Sequence, residues 1–133
     1  MSSLTPLGLL FLVFLLQFKH FICDGPLQTI GMVWAKRIYG KPLGLAHAGL
    51  HGLGSLIVML AMGVPWGLSA GMALAEALLH YHIDFAKENI VRKADWTVKD
   101  AYFWWALSFD QALHHATYLV MAAILIPKTG LTG

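Results

Sequence analysis

Four pairs of potential metal ligands recur at a single spacing. His20 and Asp24, His47 and His51, His80 and Asp84, and Asp110 and His114 are each four residues apart. At 3.6 residues per turn, positions i and i+4 share a helix face, one turn apart. Two side chains of one helix can then grip the same ion, the arrangement used by HExxH motifs. Imidazole and carboxylate donors together favour zinc, with manganese or iron as alternatives. Eight donors exceed the needs of one tetrahedral ion, so the set accommodates one ion or two. Two ions can activate a water and stabilise an in-line displacement at phosphorus. An aspartate in such a set can also act from behind, orienting a histidine.

The surroundings of these pairs are unusual. The chain is 58% hydrophobic and 12% charged, whereas a soluble domain carries about 25% charged residues. It lacks the polar residues to cover itself and reads as an integral membrane protein of one domain, residues 1–133. A formal charge of +2 is too small to suggest nucleic acid as a partner. Cys23 is the one cysteine, so no intrachain disulfide can form. The first apolar run, "PLGLLFLVFLLQF", has no cation before it and no small-residue cleavage site after it. It is expected to be a retained helix rather than a signal peptide.

A helix needs about 20 mostly apolar residues to span the hydrocarbon. Four segments are expected to do so, at roughly 5–24, 43–62, 66–91 and 98–126, the last opened by a Thr97/Asp100 capping box. Between the first two, "LQTIGMVWAKRIYGK" is too polar to span. It predicts a short interfacial helix with Trp34 and Tyr39 at headgroup level. The fold class is therefore all-α, an up-down four-helix membrane bundle with one interfacial helix. Lys19, Lys36, Arg37 and Lys41 surround the first connection, and Lys87, Arg92, Lys93 and Lys99 the third. The helix two–three turn carries no charge. Positive charge marks the cytoplasmic side, so both termini are expected outside, with the helix 1–2 and 3–4 connections in the cytoplasm. Short loops would bring all four pairs into the cytoplasmic half of the core, with helix tilt absorbing the greater depth of Asp110 and His114.

A single intramembrane histidine is commonly just hydrogen-bonded to a neighbouring helix, and any one pair is explained that way. Eight such residues at one spacing are not. Ionisable groups in hydrocarbon cost a few kcal/mol each unless paired or hydrated, and a divalent ion would neutralise the carboxylates while satisfying the imidazoles. His82, on roughly the opposite face from His80, and His115, about 100° from His114, are expected to lie outside the site. Cys23 is expected to be a small buried residue, and Glu76 an outer partner of the site or a helix–helix contact. Gln28, Gln111 and Lys87 are candidate substrate-binding residues; for Lys87 a snorkelling side chain is the plainer alternative.

The motifs "HFICDGPLQ", "HAGLH", "HYHIDFAK" and "FDQALHH", in this order, resemble domain-of-unknown-function family 3307, a group of small bacterial and phage membrane proteins with no assigned activity. The resemblance runs from about Leu16 to Tyr118. His20, Asp24, Gln28, His47, His51, His80, Asp84, Lys87, Asp110, Gln111 and His114 occupy the family's polar positions. Gly25-Pro26 departs from it, since apolar residues more often follow the aspartate. The resemblance implies the bacterial inner membrane. A looser, architectural similarity links the chain to bacterial membrane-bound metal-dependent hydrolases.

The expected function is metal-dependent hydrolysis of a lipid or lipid-linked phosphoester or ester, with Asp84 or Asp110 as the catalytic base. Membrane lipids are the expected partners, and assembly into a homo-oligomer or a membrane complex is compatible with the sequence. The alternatives are a metal or proton transporter, a haem-binding protein, or an accessory subunit with a metal-free polar network. A haem would use two histidines and leave the aspartates unexplained.

Overall fold

A computed structural model describes residues 4–126 of the chain. It is all-helical, with five helices and no strand among the described residues. The first, α1 (Pro6–Asp24), is capped by Thr5, whose hydroxyl accepts from the Gly8 N–H at 3.0 Å, and starts with proline where no donor is lost. It ends at Gly25, whose N–H bonds to the Phe21 carbonyl at 2.9 Å. The glycine at which the sequence departs from the family pattern thus closes the helix one residue after Asp24. A short α2 (Ile30–Ala35) follows, capped by Thr29. Then come α3 (Pro42–Ala61), α4 (Trp66–Lys93) and α5 (Ala101–Leu125).

Two expectations change in detail. The short helix expected between the first two long ones covers only Ile30–Ala35, and Tyr39 is drawn onto α4, with its hydroxyl 3.0 Å from His82 Nε2 and its ring packed on Tyr81 and Phe85. The last helix starts later than residue 98. Asp100 is its N-cap, and the Asp100 carboxylate accepts from the Thr97 N–H at 2.7 Å and from its hydroxyl at 3.0 Å. Those donors hold the Asp100 carboxyl below its ordinary range. The sequence pair is correct, but it closes a turn before the helix instead of starting it.

The four long helices form a ring. α1 packs on α3 and α5, and α4 packs on the same two, while α2 lies against α3. One half of the interior is apolar. Leu12 and Leu16 of α1, Met59 of α3, Met72 of α4 and Met121 and Leu125 of α5 meet there. Early α1 and α4 residues meet late α3 and α5 residues, so neighbours run antiparallel. The other half is filled by buried His20, His47, His51, His80, His114, Asp84, Asp110, Glu76, Lys19 and Lys36.

The exterior is the reverse. Phe11, Phe14, Phe18 and Phe21 stack along the outside of α1 at 6.2–6.3 Å, each at least half exposed. Leu74, Leu78 and Leu79 of α4, and Trp104, Trp105 and Phe109 of α5, are likewise exposed. Helices α1 and α3 are each long and apolar enough to cross a membrane.

Candidate metal centre

The i, i+4 pairs of all four long helices converge in the polar half. Asp24, the last residue of α1, is the hub. Its Oδ1 lies 2.9 Å from His51 Nε2 and 3.2 Å from His47 Nε2, and its Oδ2 lies 3.1 Å from His20 Nε2. Asp84 of α4 is a second hub. Its Oδ2 is 3.2 Å from His80 Nε2 and 3.5 Å from His47 Nε2, and its Oδ1 is 3.2 Å from His114 Nε2. His80 Nε2 lies 3.2 Å from His47 Nε2, joining the two hubs. The His80 ring stacks between those of His51, at 3.7 Å, and His114, at 4.1 Å. Among the described residues, Nδ1 of His47, His51 and His80 has no hydrogen-bond partner, so each ring makes its polar contacts through Nε2.

Two ligand groups result: Asp24, His47, His51 and His80; and His80, Asp84 and His114. Within each, the donor atoms lie within 4.8 Å of one another. A tetrahedral ion with bonds of about 2.0–2.1 Å spaces its ligands about 3.3 Å apart. The 2.9 Å and 3.2 Å separations around Asp24 and the 3.2 Å separations around Asp84 are near that spacing, so small side-chain shifts would open both groups to a divalent cation. His80 belongs to both.

The remaining sequence candidates surround these groups. Asp110 places Oδ1 3.4 Å from His114 Nε2, and that oxygen has no hydrogen-bond partner among the described residues. Gln111 bridges His20 Nε2 at 3.0 Å, Asp110 at 3.2 Å and Asp24 at 3.4 Å. The Gln28 amide donates to the Asp24 carbonyl and its oxygen accepts from Lys36. Lys87 pairs with Glu88. Asp24, Gln28, Lys36, Lys87, Asp110 and Gln111 line one cavity of about 380 Å³, which brings all three candidate substrate-binding residues to one place beside two of the carboxylates. Of the residues set aside, His82 bonds to Tyr39 and the Leu78 carbonyl, and His115 packs on the His20 ring at 5.3 Å. Neither belongs to a ligand group.

Two lysines also enter the polar half. Lys36 Nζ lies 2.8 Å from Asp84 Oδ2. Lys19 is buried and forms a 2.7 Å ion pair with Glu76. It also donates to the His51 carbonyl at 3.2 Å and to the Tyr118 hydroxyl at 3.1 Å, and that hydroxyl is 2.8 Å from His20 Nδ1. Glu76 is therefore a helix–helix contact, and Lys19 and Lys36 are not simply headgroup cations. Gly54 makes the room for Lys19: a Cβ there would sit 2.6 Å from Lys19 Cγ. Gly52 lets α3 approach α4, since its Cβ would meet the Ala73 carbonyl and Ala77 at 3.0 Å. Sequence reasoning missed Lys19, Lys36 and Tyr118 as site residues. The signal for Lys19 was its place beside His20 combined with Glu76 one turn before His80: opposite charges on two apolar helices, each adjacent to a ligand.

Lys19 and Glu76 cancel, and Lys36 offsets one of the three carboxylates Asp24, Asp84 and Asp110. With all five histidines neutral, as metal ligands are, two negative charges remain, the charge that one divalent cation would balance.

The chain belongs to the family described as "Protein of unknown function (DUF3307)", whose family model matches residues 10–131. No curated protein and no solved structure matches it.

Proposed function

We propose that the chain is a multi-pass protein of the bacterial inner membrane, a four-helix bundle whose buried histidine–aspartate cluster binds one or two divalent ions, zinc first, with manganese or iron as alternatives, and hydrolyses a lipid or lipid-linked phosphoester or ester. One observation carries this reading: imidazole and carboxylate donors from all four long helices meet at spacings near those of a tetrahedral ion, with His80 common to two groups. The inside-out distribution of polarity supports the membrane setting. A soluble protein rarely exposes so continuous an apolar surface, and charged groups inside a membrane protein face the bundle interior, as Lys19, Glu76 and Asp84 do here.

A bound ion would supply an activated water and a counter-charge at the reacting centre. Asp24, His47, His51, His80, Asp84 and His114 would hold it, and His20 would steady Asp24 from behind. Asp84 has Lys36, His80 and His114 within 3.2 Å and belongs to a ligand group, whereas Asp110 belongs to neither group, meets His114 at 3.4 Å and lines the cavity. Asp110 is therefore the base, taking a proton from the attacking water. Lys36 and Lys87 line the same cavity, paired with Asp84 and Glu88, and would exchange those partners for an anionic head group, with Gln28 and Gln111 orienting it.

The close stacking of His51, His80 and His114 leaves no gap for a porphyrin between these rings, which favours an ion over haem. A metal-free network is the reading favoured by the Lys36–Asp84 contact alone. The deciding experiment places metal-loaded protein in nanodiscs of bacterial lipid extract and follows phosphate and fatty-acid release by mass spectrometry. Release by wild type and loss in Asp110→Asn supports hydrolysis; equal release by both refutes the assignment of the base.

A further inference from the structure

Beside the polar cavity lies a second one of a different character. It is about 440 Å³ and runs between α4 and α5, bordered by Leu79, Ile83, Ala86 and Ile90 on one side and by Phe109 and Leu113 on the other. The α4 residues recur at three- and four-residue steps, so they form one stripe along the helix. This groove and the polar cavity share two residues, Lys87 and Asp110. Lys87 stands toward the end where α4 finishes, with Leu79 two turns further along the groove. Asp110 is nine-tenths buried or more, with Oδ1 3.4 Å from His114 Nε2 and without a hydrogen bond among the described residues. Along its flank the groove thus meets the Lys87–Glu88 ion pair and the Asp110 carboxylate, which also line the candidate site.

We propose that the groove seats one hydrocarbon chain of an anionic phospholipid whose phosphate takes Lys87 from its Glu88 partner, so that the lysine presents the head group to the cavity beside Asp110. The proposal rests on the reading of that cavity as the reactive site, and it names the substrate class: a phosphate-bearing lipid taken laterally from the leaflet nearest the end of α4. A bulk bilayer chain would also fit an apolar groove, but it would draw nothing from Lys87. Head-group charge is therefore the distinguishing feature.

The test uses wild-type protein in phosphatidylcholine nanodiscs with two photoactivatable probes, a diazirine-tailed phosphatidic acid and a phosphatidylcholine with the same tail. The phosphatidic acid probe should label Leu79, Ile83, Phe109 or Leu113 several-fold more than the phosphatidylcholine probe. Lys87→Gln should bring the two to the same level. Ala86→Trp, at an exposed position on the groove wall, should remove labelling there by either probe. Equal labelling of wild type by both probes, or selective labelling that survives Lys87→Gln, overturns the proposal. Metal content read on the same samples separates the two ideas. Selective labelling of a metal-free protein would leave the groove standing and defeat the metal reading, whereas a metal-loaded protein without labelling would do the opposite.

Discussion

His80 and His47, on different helices, place their Nε2 atoms 3.2 Å apart. Two such nitrogens approach this closely either by sharing a proton or by facing a common cation. Because each also lies within 3.5 Å of Asp84 Oδ2, the pair forms the seam along which the two ligand groups join.

That seam makes His80 the most sensitive ligand. His80→Ala removes a donor from both groups, whereas His51→Ala removes one from the Asp24 group alone. Loss of a partner that merely orients a ligand already weakens metal binding by about 10–100-fold, so His80→Ala should weaken it at least as much, and more than His51→Ala. His82→Ala, two residues away but bonded to Tyr39, should leave metal content unchanged. Metal per protein by mass spectrometry on the three variants ranks them; equal losses in His80→Ala and His82→Ala would contradict the face assignment.

Asp110→Asn should keep the metal and lose turnover. The amide preserves the shape and the Gln111 contact but cannot accept the proton. A positioned general base is worth about 10²–10⁴-fold in rate, so the rate should fall within that range while metal content stays near wild type. Loss of metal together with rate would make Asp110 a ligand instead.

Lys19 and Glu76 are a structural pair. Removing one partner of a buried ion pair leaves the other charge uncompensated and costs about 3–5 kcal/mol. Lys19→Met and Glu76→Gln should each lower the thermal transition in detergent markedly, and the double variant should recover much of the loss. Additive losses in the double variant would mean that the two charges are not coupled.

The part of this centre that was legible in the sequence is the part fixed by helix periodicity. His80 with Asp84, or His47 with His51, must share a face wherever the helix goes, so the pairs could be read before any packing was known. What periodicity cannot supply is height. Asp110 and His114 lie deeper along their helix than the other pairs, yet His114 reaches Asp84 and Asp110 meets His114, since helix tilt and stagger depend on packing such as the close approach at Gly52. Charge at a helix end is ambiguous for the same reason: Lys36 reads as a headgroup cation in one dimension, but the turn after α2 folds it back onto Asp84. Tyr118 offered no signal of its own, because a tyrosine in an apolar helix becomes a site residue only when His20 and Lys19 are known to face it.

The proposed topology has a direct chemical test. With Cys23 replaced by alanine, a cysteine at Lys41 should react with an impermeant maleimide only after the cells are opened. A cysteine at Gly67, where a side chain meets open space, should react in intact cells. The reverse pattern would invert the orientation and place the polar cavity on the outer face.

The metal content of wild-type protein, purified in detergent without chelator, bears most directly on the histidine–aspartate cluster. About one or two divalent ions per chain, lost on chelation together with a fall in thermal stability because bound metal stabilises the folded state, is the expected result. A protein that carries no metal, takes up none of zinc, manganese or iron, and melts at the same temperature with and without chelator would show that the five histidines and three aspartates form a hydrogen-bonded network and nothing more.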